Sequence, residues 1–159
     1  MPDPVQRATC SCGKVTIEAR RARIVAMVCH CDSCRRAGQL LEALPDAPPI
    51  LDGDGGTPFV LMRKDRVDCA TGREHLREHR LSDTTPTRRV VATCCNTFMF
   101  LDVTKGHWVT MLRDRLDGGG GTDRPMPLAV GALMLTWARM GFRTPRLDFV
   151  NGTLAHGRS

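Results

Sequence analysis

Tyrosine is absent from these 159 residues, and five Phe with two Trp bring the aromatic content to only 4%. Aromatic side chains bury the most area per residue, so a chain this poor in them draws part of its folding free energy from another source. No stretch reads as a bilayer crossing: the most helix-like segment, 127–140, is far short of the roughly 20 residues required. The amino terminus, Met1-Pro2-Asp3-Pro4-Val5-Gln6-Arg7, has no apolar run that would serve as a signal peptide, which points to the cytoplasm. Lys and Arg outnumber Asp and Glu by 23 to 17, giving a formal charge of +6, yet no basic run is interleaved with aromatics. A nucleic-acid surface therefore has little support, and a solvated basic face is the simpler account.

What the chain does have is cysteine. Seven of its eight cysteines fall into three clusters, Cys10-Ser11-Cys12, Cys29-His30-Cys31-Asp32-Ser33-Cys34 and Cys94-Cys95. In a reducing compartment such thiols stay free to bind metal, and the two sulfurs of a C-x-C pair are too close in sequence for an easy disulfide. A thioredoxin-like couple at Cys31 and Cys34 would need a strand leading into a helix within a βαβ unit, and none is visible. The clusters read as zinc, whose thiolate sites take four ligands in a tetrahedron and complete a short chelating pair with one from a distant segment. Three clusters imply more than one site. Two such sites would cancel about half of the excess positive charge. Arg35 and Arg36 after Cys34, and Lys14 after Cys12, are placed to favour thiolates. Cys69 stands alone and reads as a small buried hydrophobe.

One domain is the natural size for this chain. Val15, Ile17 and Ala19 alternate with Thr16, Glu18 and Arg20, the period of a half-buried strand, and residues 24–28 form an apolar run that delivers Cys29 at its tip. Further strands are predicted at 59–62, 67–69, 74–81, 88–92, 98–101 and 108–111, separated by turn signals. Residues 35–44 form a short helix or an irregular turn stopped by Pro45, and 45–58 is a loop rich in Pro and Gly. After Gly118-Gly119-Gly120-Gly121 a helix is expected over 127–140, packed on the core. The expected architecture is mainly β, several short antiparallel strands with metal knuckles at their tips plus a C-terminal helix. A zinc-binding β domain takes 1–117, and a Gly-rich linker, helix and tail take 118–159, packed on the same domain. His75 and His79 stand four apart, but in a strand they share a charged, solvated face. His30, between two cysteines, is read as a group beside the metal or facing substrate.

The C-x-C-G of Cys10 to Gly13, the C-H-C-x-x-C-R-R of Cys29 to Arg36 and the late cysteines before Asn96-Thr97 resemble the glutathione-dependent formaldehyde-activating enzyme family. This is a zinc-binding domain of Mss4-like fold also seen in centromere protein V. The Cys94-Cys95-Asn96-Thr97 variant, with Gly55-Gly56-Thr57-Pro58, looks closer to an uncharacterised bacterial branch of it. The resemblance implies a structural zinc on Cys10 and Cys12 with a late cysteine pair, and a second, more labile zinc on Cys29, Cys31 and Cys34 with one coordination position open. The implied reaction is addition of glutathione to formaldehyde, formally a carbon-sulfur lyase in reverse. Arg35 and Arg36 then assist an anionic substrate such as a small thiol. Aligning Cys95-Asn96-Thr97 with the family's second Cys-Gly-Thr puts Ala92 where the first late cysteine stands. We assign Cys95 as a ligand and Cys94 as the fourth, which requires the backbone to bulge or turn there. Ala37-Gly38-Gln39-Leu40-Leu41 also departs from the family's pattern, so the substrate need not be glutathione. Two readings stay open: an enzyme acting on a thiol or thiol adduct, and a non-catalytic zinc-stabilised binding module.

Overall fold

In the computed structural model, residues 5–20, 22–120, 126–127, 147, 149–150 and 152–154 are described. The alternation around Ile17 becomes strand β2 (Thr16–Arg20), which buries Ile17 and Ala19 and turns Arg20 to solvent. It is the centre of a small antiparallel sheet, flanked by β1 (Val5–Thr9) and β5 (Val67–Thr71). β1 pairs with β2 from Val5 opposite Arg20 to Thr9 opposite Thr16, so the hairpin turn falls on Cys10 to Val15. Gly13 supplies the positive φ of 80° that this turn needs.

The second sheet contains β3 (Arg23–Cys29), β4 (Thr57–Arg63), β6 (Leu76–His79), β7 (Thr87–Ala92), β8 (Thr97–Val103), β9 (Trp108–Leu112) and the two-residue β10 (Met126–Pro127). Their order is β10-β3-β4-β9-β8-β7-β6, antiparallel throughout except for the β10–β3 pair. The architecture is thus mainly β, as the sequence implies. One helix is present among the described residues, α1 (Asp32–Glu42). It is regular and begins three residues before the expected 35–44 segment, because Cys31 caps its amino terminus. Cys34, Ala37, Gly38 and Leu41 form its buried stripe at helical spacing. Of the C-terminal helix expected over 127–140, Pro127 lies in β10 and the rest falls outside the described residues.

Two apolar layers result. Ile17, Val67 and Cys69 of the small sheet pack with Val60, Val90, Phe100 and Met111 of the large one. On the other side Leu41 of α1 packs with Phe59, Val91, Phe98 and Leu112. A sheet covered on both faces reads as continuous apolar runs, which is why β8 and β9 show no alternation. The few aromatics are spent here, with Phe59 and Phe98 meeting edge to face at 6.2 Å.

A chain of charges also crosses the sheet. Asp102, 1% exposed, sits 2.7 Å from the equally buried Lys64 ammonium and accepts a hydrogen bond from Arg88 Nε at 2.7 Å. Arg88 continues to Glu78, which also accepts from Arg80. The expected solvated face for His75 and His79 is not what forms: His75 falls in a single 3-10 turn (Arg73–His75) and is half-buried, while His79 in β6 is only 4% exposed. The 3-10 turn takes the place of the first part of the expected 74–81 strand, which here runs only over Leu76–His79.

Candidate functional site

The first cysteine pair occupies the β1–β2 turn and the last occupies the β7–β8 turn, one from each sheet. Adjacent residues of a strand face opposite ways, so the question is how Cys94 and Cys95 converge. The backbone answers it by turning: Cys95 N–H donates to Ala92 O at 3.3 Å, and Asn96 takes the left-handed conformation with φ 53°. The Asn96 amide donates to Pro45 O at 2.9 Å and holds the turn. Cys10 Sγ then lies 3.6 Å from Cys12 Sγ and 3.8 Å from Cys94 Sγ, with Cys12 to Cys94 at 3.4 Å and Cys94 to Cys95 at 3.8 Å. Four sulfurs are gathered within 4.8 Å of one another, an arrangement that could hold a metal ion.

The surroundings stabilise thiolates unequally. Cys10 Sγ accepts a hydrogen bond from Val15 N–H at 3.3 Å, but burial outweighs it and raises the Cys10 thiol. Burial also raises the thiol of Cys94. Cys95 is pushed up by burial as well, yet hydrogen bonds from the Ser11 and Thr97 side chains bring it down to about 5. Thr97 Oγ1 is 3.0 Å from Cys95 Sγ and 3.0 Å from Ser11 Oγ, and it accepts from Ser11 N–H at 3.1 Å. This hydroxyl pair, which links the two turns, was not legible from spacing alone.

The second cluster is local. β3 ends at Cys29 and α1 begins at Asp32, so Cys29, Cys31 and Cys34 surround one helix amino terminus. Cys31 Sγ accepts from Cys34 N–H at 3.5 Å, and Cys29 Sγ is 3.4 Å from Cys31 Sγ. These three sulfurs also lie within 4.8 Å of one another, with Cys31 exposed and the other two buried. The Cys29 thiol is lowered to about 5, chiefly by its hydrogen bond to Cys34, while that same bond and burial raise Cys34. Free helix N–H groups and the helix dipole add to the preference for negative charge here.

Around this cluster, Arg35 and Arg36 are exposed on the first turn of α1. The Arg35 guanidinium packs over Gly55, where a Cβ would sit 3.7 Å from its Nε. His30 is exposed and lies against Gly56, where a Cβ would come within 2.6 Å of the imidazole. The 45–58 loop therefore borders the site, and Gly55 and Gly56 permit the approach. Sequence reasoning missed Arg89. It is 3% exposed in β7, and its Nη2 points at Cys34 Sγ from 3.9 Å. Nothing in Arg88-Arg89-Val90 distinguishes it from a surface strand residue, because its partner is 55 residues away. Cys69 is buried away from both clusters, its thiol raised to about 11 by burial and donating to Thr71 O. All eight cysteines are unbridged. Among the described residues no helix is long and apolar enough to cross a membrane.

With both clusters in place, the comparison with known proteins is specific. Residues 5–43 match the glutathione-dependent formaldehyde-activating enzyme family. That segment contains the C-x-C-G and C-H-C-x-x-C-R-R motifs whole, so the family resemblance of the sequence is borne out there. No curated protein is significantly similar to the chain. A crystal structure of a Rhodobacter sphaeroides protein superposes with a TM-score of 0.52 at 17% identity, covering 76% of this chain and 97% of that one. At that identity the likeness is one of fold.

Proposed function

We propose that the chain is a zinc protein with one closed and one open site, and that the open site acts on a thiol or a thiol adduct. Zinc bound by thiolates at about 2.3 Å in a tetrahedron places its sulfurs about 3.8 Å apart. Four of the six sulfur separations in the first cluster are 3.4 to 3.8 Å, close to that figure, and all four sulfurs lie within 4.8 Å of one another. Cys10, Cys12, Cys94 and Cys95 hold a structural ion with no position left over. Cys29, Cys31 and Cys34 hold a second ion with one position short of a tetrahedron. That count of three carries the functional reading, since structural sites are closed and catalytic ones keep a position for water or substrate.

Bound there, zinc supplies Lewis acidity toward a thiol or carbonyl oxygen. The chain supplies placement and charge. The α1 amino terminus orients Cys31 through the Cys34 N–H and presents a positive dipole end to anions. Arg35, exposed over the Gly55 turn, is placed to receive a carboxylate of an acidic thiol, with Arg36 beside it. The reaction that fits is addition of the thiol sulfur to an aldehyde carbon, the thiol proton ending on the aldehyde oxygen, or the reverse cleavage of that carbon-sulfur bond. Glutathione with formaldehyde is the pair the family match favours, and the motif's departures at Ala37 to Leu41 make other small thiols worth the same assay.

Metal analysis of reduced protein with calorimetric titration of glutathione and other small thiols tests this. Two equivalents of zinc and a saturable heat with at least one thiol are expected. Two equivalents with no heat from any thiol, and no protection of the second ion from chelators, would sink the enzyme and leave a zinc-stabilised module.

A further inference from the structure

A guanidinium in an apolar layer is costly unless an anion accompanies it. Arg89 is such a case: only 3% exposed, it borders a cavity with room for about one water, walled by Leu41, Phe59 and Phe98. Among the described residues no carboxylate forms an ion pair with it, and the side-chain group it reaches is Cys34 Sγ, 3.9 Å from Nη2. A divalent ion held by Cys29, Cys31 and Cys34 makes the sulfur cluster that Arg89 faces anionic.

We infer that Arg89 is a positioning residue of the three-cysteine site, a buried counter-charge that favours the metal-loaded site. The inference rests on the reading of Cys29, Cys31 and Cys34 as a metal site. Three thiolates and one divalent ion leave a net charge of −1, which one arginine neutralises. Among the described residues the four-cysteine site shows no such buried partner: the neighbours of Cys95 are the hydroxyls of Ser11 and Thr97. Arg89 also fixes the direction of Cys34, because its contact comes from β7 across the cavity while Cys29 contacts the same sulfur from β3. An ordinary packing residue would support the fold whether or not the second ion is bound. A counter-charge acts chiefly on the loaded site.

The test uses the reduced full chain, titrated with zinc against a chromophoric chelator, with thermal melts at one and two equivalents. For Arg89→Met the second equivalent should bind at least tenfold more weakly, and the rise in melting temperature that it gives the wild type should shrink. The one-equivalent form should lose less in melting temperature than the two-equivalent form. Arg89→Lys, which keeps the charge, should hold the second equivalent within tenfold of wild type. Equal zinc affinity in wild type and Arg89→Met would overturn the inference while leaving the metal site standing. A wild type that takes only one equivalent would instead overturn the metal site itself. If Arg89→Met loses both equivalents, as a misfolded chain would, Arg89→Lys decides: retention of the second ion supports the counter-charge and its selective loss refutes it.

Discussion

Replacing Cys94 by Ala tests the closed site where the sequence is least conventional. Its Sγ lies 3.8 Å from Cys10, 3.4 Å from Cys12 and 3.8 Å from Cys95, so the substitution removes one of the four gathered sulfurs and adds no group to the turn. Structural zinc is worth about 10–16 kcal/mol of binding free energy at neutral pH, and an even share for one of four ligands is about 2.5–4 kcal/mol. At about 1.4 kcal/mol per tenfold, zinc affinity should fall by about two to three orders of magnitude. With metal binding coupled to folding, the same loss should appear as a fall in melting temperature of roughly 10 °C for a chain of this size. Chelator competition and thermal melts of reduced protein at matched zinc read both quantities. Cys95→Ala should behave alike, whereas Cys69→Ala, buried outside both clusters, should lower stability modestly and leave zinc stoichiometry unchanged. Wild-type affinity and melting in Cys94→Ala would refute the assignment of Cys94 and place the fourth ligand elsewhere.

Asp102→Asn strips the counter-charge from Lys64, which is 2% exposed, and should cost about 3–5 kcal/mol in urea denaturation with an unchanged slope. Gly72→Ala should cost clearly more than Gly13→Ala: both residues have φ near 80°, but a Cβ at Gly72 would clash with Lys14 O while at Gly13 it meets nothing. Equal losses by the same denaturation assay would show that backbone strain, about 1–2 kcal/mol, is the whole effect. Burial pushes the Glu78 carboxyl up, but its hydrogen bonds from Arg80 and Arg88 prevail and hold it below its ordinary value. The unfolded chain therefore takes up this proton first, so the contribution is complete above the unfolded value of about 4.3 and fades as pH falls through the folded one. Glu78→Gln should flatten that part of the stability–pH profile relative to wild type at matched metal loading, and parallel profiles would show that Glu78 adds nothing.

Where the sequence speaks through a period, it is legible. The alternation at Ile17 and Ala19 gives β2, and the apolar runs at Phe98 to Leu101 and Trp108 to Met111 give β8 and β9. β1 escapes because Ala8 is its one buried residue, and its pairing comes from the neighbouring strand rather than from its own pattern. The start of α1 is obscured by cysteines that serve both as cap and as cluster. In the site, close spacing reveals the C-x-C and C-x-x-C groups, since those residues are near in space because they are near in the chain. Relations made only by folding carry no local mark: the meeting of Cys10 with Cys94, the Ser11–Thr97 hydroxyls and the Arg89 contact with Cys34 all join segments more than fifty residues apart.

That difference in span would give ions on the two clusters different roles. Cys10 and Cys94 are 84 residues apart, and an ion on them would fasten the small sheet to the large one. By the chain-entropy relation for cross-links, closing such a loop is worth about 4–5 kcal/mol, whereas closing the short loop from Cys29 to Cys34 is worth about 2. The second cluster sits at the amino terminus of α1, whose Leu41 face packs on the sheet. Chelator titration of the zinc-loaded protein should therefore release metal in two steps. A weak chelator removes one equivalent with little change in far-ultraviolet circular dichroism, and a stronger one removes the other together with cooperative unfolding. Cys31→Ser should abolish the early step alone. Release of both ions in a single transition, or unfolding that accompanies the first ion, would contradict a division of labour between a distant clasp and a local, exchangeable site.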